Sequence, residues 1–487
     1  MRDYPKIKRW LLFLFPALLL LLNFLSKLAF VRHEDIGLDE PFTIYHAQFG
    51  FATIIEQLKN YNNPPLFELI LHVWIKLFGI SPLSVRMLPL LFASLAPVAL
   101  YYFGKKFFSI EIAVVSSLLL SFSDLLFYYS HDCRVYSLFL FLSILSMHFF
   151  LKIIGEARPK LTSVILFILF TCLLIYAHYF GFFILFFQGI YILLFYSDKW
   201  VRFFVFYGII LLLYLPHLYP LFIRMGDSVT HGTWIDPPSG LESLYNMLWS
   251  FCNYPFITVG SIGILLFALI KLVYKRDLLR PRENISLLLI WFLLPYFGMF
   301  IISYWVPMYI SRYLIFALPA FYLLLVICVQ YLLKNKSLRY FVFFVLVMSF
   351  GFTIDPTNNK KQRMSEAVKI INSKKDPSTL VILCAYDHLP GFAYHYKKEY
   401  FSAIGDKREY ALMESLLRVD NIYTESAFPD PKSIDTSKYR KVIYYAIGKD
   451  YDKPENPFLH YLNEQYSLAE TKKVKTTGQL YFFEKSK

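Results

Sequence analysis

Apolar runs of about 20 residues, separated by short polar links, fill most of the first 350 positions of the chain. That is the length a helix needs to cross the hydrocarbon core of a bilayer. The pattern predicts roughly eleven spanning helices, centred near residues 18, 95, 120, 144, 169, 188, 210, 262, 295, 323 and 346. The first run, WLLFLFPALLLLLNFLS (10–26), follows Arg2, Lys6, Lys8 and Arg9, a pattern that secretory signal peptides share. With no small-residue cleavage site before the acids that follow, and with many further spans, a retained helix is the expectation.

From Asp355 onward the pattern changes. Short alternating or apolar runs, TLVILC (379–384), KVIYYAI (441–447) and QLYFF (479–483), are separated by polar, helix-compatible segments. This predicts a soluble α/β domain over 355–487 after a transmembrane domain over 1–354. The expected fold class is therefore a polytopic α-helical membrane protein with a C-terminal soluble α/β domain. No internal repeat or low-complexity linker interrupts this division.

Composition agrees: 57% hydrophobic residues and only 17% charged ones do not fit a soluble chain of this length. The formal charge of +14 raises nucleic acid as a partner, but the basic residues sit in short links between apolar runs, which membrane orientation explains more simply. With the N-terminus cytoplasmic, nineteen Lys and Arg fall in inner links, against eight between span ends on the other side. This bias places 28–84, 220–248 and the segment after about 355 outside. The five cysteines form no CxxC pair, which suggests neither a zinc site nor a disulfide framework, and neither HExxH nor clustered His/Asp ligand spacing occurs, so a divalent metal or other cofactor has no support in the sequence.

Ionisable residues are costly within a membrane, and a transporter would carry several near its span centres. Here the centres are nearly free of charge. The unusual polar residues gather at the predicted outer ends: Asp39 and Glu40; Asn62 and Asn63 before Pro64 and Pro65; Arg86; His131, Asp132 and Arg134 in HDCR; His178; and Tyr309, Ser311 and Arg312. A chemical site at the outer interface fits this pattern better than a conduit. Its substrate would have an apolar tail and an anionic head, as lipid phosphates do, and arginine forks suit phosphate oxygens. A nearby carboxylate would act as base on an incoming hydroxyl.

The motifs NNPPLFELILHVWIKLFG (62–79), SVRMLPLLFASLAPVALYYFGKKFF (84–108), YYSHDCRVYSL (128–138), YAHYFG (176–181) and SRYLIFALPAF (311–321), after a first outer loop with an early DE pair, resemble the GT-C glycosyltransferases. Within these the chain is most similar to the protein O-mannosyltransferase and aminoarabinose-transferase superfamily (glycosyltransferase family 39-like). The resemblance covers most of residues 1–350. It implies inverting transfer of a sugar from a polyprenyl-phosphate donor to a protein, lipid or glycan acceptor on the extracytoplasmic side, in a bacterial inner membrane. It further implies that Asp39 is the base and Glu40 its companion, and that Arg134, Arg312 and Tyr313 serve the donor or its phosphate. Aminoarabinose transferases have an acidic-basic pair where this chain has Asn62 and Asn63, which argues against aminoarabinose as the sugar.

Each site residue also has a plainer reading. Asp39 and Glu40 precede Pro41 at the expected start of an amphipathic surface helix over FTIYHAQFGFATIIEQL, where an Asp caps well. Glu34 and Asp35 are expected in water. Arg86, Arg134 and Arg312 could snorkel to headgroups, His131 could pair with Asp132 in a tight loop, and His178 and Trp234 could be ordinary interfacial residues. Two other function classes stay open: an oligosaccharide ligase or polymerase using a lipid diphosphate donor, and a lipid-linked sugar flippase or transporter. The flippase fits poorly with charge-free span centres and absent repeats.

Overall fold

A computed structural model of the chain describes residues 6–59, 61–274, 283–356, 363–384, 386–405, 410–425, 434–447, 456–474 and 477–485. Of the inner-link cations, Arg2, Lys275, Arg276, Arg280 and Arg282 lie outside the described residues. The chain divides into two compact units, one of residues 1–30, 54–70 and 86–356, the other of residues 31–53, 71–85 and 357–487. The first outer loop, read from sequence as part of the transmembrane domain, is thus shared between them.

The first unit is helical because its long apolar runs must satisfy their own backbone hydrogen bonds. Six of its described helices are long and apolar enough to span a membrane: Pro82–Phe107, Tyr136–Ile154, Ser197–Thr230, Pro255–Tyr274, Glu283–Ile302 and Ile315–Leu332. A seventh span results if Ile110–Ser121 and Asp124–Ser130, bent by 57°, count as one. The protein is therefore a multi-pass membrane protein. The sequence expectation of eleven spans exceeds this number because several apolar runs form shorter helices. Leu161–Ala177 has 17 residues and Gly181–Phe195 has 15, about 25 Å or less at 1.5 Å per residue.

Helix burial separates a core from a shell. Ile315–Leu332 and Tyr136–Ile154 are buried over 72% of their apolar windows, whereas Ser197–Thr230 and Pro255–Tyr274 are buried over only 22%. The exposed Phe, Leu and Val of the latter pair carry no penalty in lipid, where tails are as apolar as the side chains. Asn253, held at a φ of 62°, fastens three segments of the core. Its side chain accepts from the Asp124 backbone N–H at 2.8 Å and donates to the carbonyls of Phe122 and Phe350 at 2.7 and 3.2 Å.

The second unit contains a five-stranded sheet with strands β1 (Thr379–Cys384), β2 (Ile422–Glu425), β3 (Lys441–Ile447), β4 (Ser467–Val474) and β5 (Gly478–Glu484). Their order is β2-β1-β3-β5-β4. β1 runs parallel to β2 and β3, and β5 runs antiparallel to β3 and β4. The central strands are buried on both faces, as apolar runs such as TLVILC require. Leu380, Ile382, Val442, Tyr444 and Phe483 pack there with Phe458 and Leu462 of the Pro457–Gln465 helix. Edge strand β4 is exposed and charged, with Glu470, Lys472 and Lys473, which discourages pairing with another edge.

Candidate functional site

In the first unit, two residues singled out from the sequence, Tyr313 and Trp234, meet around Arg312 together with Tyr136, which was not. The guanidinium lies 5.7 Å from the ring centre of Tyr136, 5.6 Å from that of Tyr313 and 4.8 Å from that of Trp234. Aromatic faces hold such a cation without neutralising it. Trp234 is therefore more than an interfacial anchor. The Thr233 hydroxyl donates to the Pro307 carbonyl at 2.7 Å, which ties the loop bearing Trp234 to the loop bearing Arg312.

His178 lies in the turn between Leu161–Ala177 and Gly181–Phe195. Its ring stacks on Phe139 at 4.7 Å and meets Tyr313 at 5.5 Å. It is close enough to Arg312 and Arg134 to feel both charges. Nδ1 accepts from the Phe180 backbone N–H at 3.1 Å, so the ring proton sits on Nε2. Nε2 is buried and has no hydrogen-bond partner among the described residues, which leaves a donor ready for a ligand. Gly181 makes this turn possible, since a Cβ there would lie 2.8 Å from the Leu174 carbonyl oxygen.

His178 and Tyr313 line one part of an apolar groove of about 550 Å³. Phe180, Phe183, Leu221, Met225, Trp234 and Ile302 line much of the rest, and Arg224 and Asn62 also border it. An apolar trough with a cation, Arg224, and hydrogen-bond donors along part of its wall suits an amphiphile with an anionic head. Arg134, in the loop between Asp124–Ser130 and Tyr136–Ile154, is 8% exposed and Arg86 is 1% exposed, so neither snorkels. His131 turns elsewhere: its Nε2 meets the Lys27 carbonyl at 2.7 Å. Asn63 is half-buried in the link before Pro64 and Pro65, and Asn62 is exposed.

Asp39 and Glu40 belong to the second unit. Asp39 occupies the N-cap position of the Glu40–His46 helix, yet its side chain makes no capping hydrogen bond. Asp39 is an exposed residue, whereas Glu40 is fully buried and accepts from the Gly37 backbone N–H at 3.3 Å. The two acids thus differ in kind: Glu40 braces the turn, and Asp39 is exposed. Leu38, immediately before, adopts a φ of 53°, a left-handed conformation that is uncommon for a leucine.

Two sequence expectations change here. Asp35 is not simply solvated, because its Oδ2 accepts from the Ser365 backbone N–H at 2.9 Å. The surface helix is broken into Glu40–His46 and Phe51–Leu58, and six of the seven residues in the first piece are buried. The reason is a local partner: Tyr45 packs edge-on against Phe401 and Tyr410, and a Cβ on Gly391 would touch Pro41 at 3.5 Å. His395 Nε2 meets the Ile36 carbonyl at 2.8 Å. The C-terminal segment also supplies His388, whose pKa burial lowers while the nearby charges of Asp387 and Asp39 act to raise it. No sequence motif pointed to His388. Its only signal is position, at the N-cap of the Leu389–Tyr396 helix that packs on the acidic turn.

Among the described residues no group of three or more His, Cys, Asp or Glu is placed to hold a metal ion. The sequence profile of the dolichyl-phosphate-mannose-protein mannosyltransferases matches residues 62–221. The chain superposes on the apo crystal structure of ArnT from Cupriavidus metallidurans with a TM-score of 0.62, at 13% identity over 98% of each chain. The chain shares the fold of ArnT. ArnT bound to undecaprenyl phosphate matches at 0.59, with 12% identity over 97% of each chain. The archaeal oligosaccharyltransferase AglB from Archaeoglobus fulgidus, in complex with an inhibitory peptide and a dolichol-phosphate, matches at 0.53, with 11% identity over 97% of this chain and 74% of the other. No curated protein matches the chain by sequence.

Proposed function

We propose that this GT-C chain is a membrane glycosyltransferase that moves a sugar from a polyprenyl-phosphate-linked donor to a hydroxyl of a protein, lipid or glycan on the extracytoplasmic face. The observation that carries the reading is the apolar groove whose wall includes His178 and Tyr313, with Arg312 held beside it on aromatic rings. A prenyl tail suits the groove and a phosphate suits its polar wall. Support comes also from the undecaprenyl phosphate and dolichol-phosphate bound by proteins of the same fold.

In this mechanism Asp39 takes the proton of the acceptor hydroxyl as its oxygen attacks the anomeric carbon opposite the phosphate. Arg134 and Arg312 stabilise the charge that develops on the departing lipid phosphate, and the sugar inverts. Asp39 is assigned on the DE motif and on its exposure, Glu40 as its brace. Eleven spans in a bacterial inner membrane, with residues 355–487 as an extracytoplasmic α/β domain, complete the reading.

The test incubates the purified protein with radiolabelled polyprenyl-phosphate hexose, pentose and aminosugar donors and a membrane extract. Transfer of a single sugar is expected. Block transfer from a lipid diphosphate would favour a ligase or polymerase, and translocation without a new glycosidic bond would favour a flippase. Asp39→Asn is expected to lower transfer by about 10²-fold or more, as loss of a general base does, without changing protein abundance. Undiminished transfer by that variant would remove Asp39 from the mechanism.

A further inference from the structure

The helices that begin near Arg86 and Arg134 carry lysines at their other ends, about 25–30 Å away at 1.5 Å per residue. Tyr102, Lys105 and Lys106 stand at i, i+3 and i+4 near the end of Pro82–Phe107, and His148 and Lys152 at i and i+4 near the end of Tyr136–Ile154. Such spacings put each set on one helix face. The two faces converge on a pocket of about 480 Å³, lined by those five residues.

Positive-inside topology explains why lysines occupy this end of the bundle, but not why they share a pocket with a histidine. Lys105 rests over the Tyr101 ring and Lys152 over the Phe149 ring, each with Nζ 5.6 Å from the ring centre. His148 is set among Phe103, Phe107 and Phe149, at 6.3, 5.3 and 5.2 Å between ring centres, and feels the charges of Lys152 and Lys106. Among the described residues no carboxylate pairs with Lys105, Lys106 or Lys152. By contrast Arg339, near an end of its own helix, pairs with Glu111 at 3.0 Å. Three ammonium groups around one pocket repel one another unless an anion joins them.

We infer that the Tyr102, Lys105, Lys106, His148 and Lys152 pocket binds a phosphate group, that of an anionic lipid headgroup in the leaflet opposite the arginine cluster. Basic pockets between membrane helices take such headgroups, and the phosphate would supply the missing counter-charge. Exposed Tyr102 beside the pocket offers an amphipathic ring to the glycerol and upper acyl region. The inference rests on the membrane embedding alone and is independent of the donor reaction.

Native mass spectrometry of the full chain, released from nanodiscs of mixed phosphatidylglycerol and phosphatidylcholine, tests it. Phosphatidylglycerol is expected to be retained over phosphatidylcholine, and the variant Lys105→Gln/Lys106→Gln/Lys152→Gln to lose about tenfold or more of that preference. His148→Ala, which leaves every lysine in place, should lose part of it and guards against a folding or orientation defect in the triple variant. Retention that survives millimolar inorganic phosphate identifies the lipid headgroup. Displacement by inorganic phosphate, with a phosphate-dependent rise in melting temperature that the triple variant lacks, identifies a free anion on the same residues. Equal retention by wild type and triple variant overturns the site. So does an equal loss in Lys199→Gln/Lys334→Gln/Lys336→Gln, which removes the same charge elsewhere.

Discussion

Leu38 holds a left-handed φ of 53° immediately before Asp39, a conformation that costs a residue with a Cβ roughly 1–2 kcal/mol. Strain kept beside the carboxylate proposed as the base would fix where that carboxylate stands. Leu38→Gly should relax the strain, change stability by less than about 1 kcal/mol because the unfolded chain gains freedom, and retain transfer. Leu38→Ile, β-branched and worse suited to this φ, should lower the melting temperature and reduce transfer several-fold; unchanged transfer would mean the strain is incidental. The DE pair itself was legible in the sequence. The strain was not: the local signal for a left-handed turn is glycine, and Gly37, one residue earlier, is not in that conformation. Nor could local pattern show that Asp35 reaches Ser365, 330 positions along the chain.

At the scale of elements, apolar period gave most of the helices but misread the surface segment of the first outer loop. FTIYHAQFGFATIIEQL looks like one amphipathic helix, yet it breaks around residues 47–50 and its first piece is buried because Tyr45 has aromatic partners far along the chain. His178, open from the sequence between a site residue and an interfacial histidine, is set by the tight turn at Gly181 beside Tyr313 and within reach of both arginine charges. That turn is testable. Gly181→Ala would place a methyl 2.8 Å from the Leu174 oxygen and 3.1 Å from the Ile175 Cα, backbone atoms that cannot simply rotate aside. Gly189→Ala, eight residues on in the following helix, meets nothing within 4 Å. The first should cost about 1–3 kcal/mol and lower transfer, whereas the second should be neutral or stabilise by up to about 1 kcal/mol. Equal behaviour in thermal melts and transfer assays would show that the turn does not position the site.

For the whole molecule, the change of pattern at Asp355 marked where the long apolar runs stop, but not that residues 31–53 and 71–85 join the later segment in one unit. Such assembly depends on pairings across hundreds of positions, which no local period encodes. The composition of that unit sets its acid sensitivity. Burial depresses the pKa of His388 below its ordinary 6.5, against the pull of Asp387 and Asp39. As pH falls below about 6.5 the unfolded chain therefore binds a proton that the folded unit resists, and stability declines. Asp420 adds a second, lower window. Burial pushes its pKa up, but hydrogen bonds from Lys397, Tyr400 and Tyr396 outweigh this and hold it below its ordinary 3.8. That contribution is present above 3.8 and lost as pH falls through the folded value. Hydrogen exchange in β1 of the full chain, corrected for intrinsic rates, should accordingly show weaker protection at pH 5 than at pH 7, with a further drop below pH 4. His388→Gln should flatten the first decline and leave the second, while Asp420→Asn should do the reverse. If His388→Gln leaves the loss between pH 7 and 5 unchanged, the acid sensitivity of this unit arises from other groups.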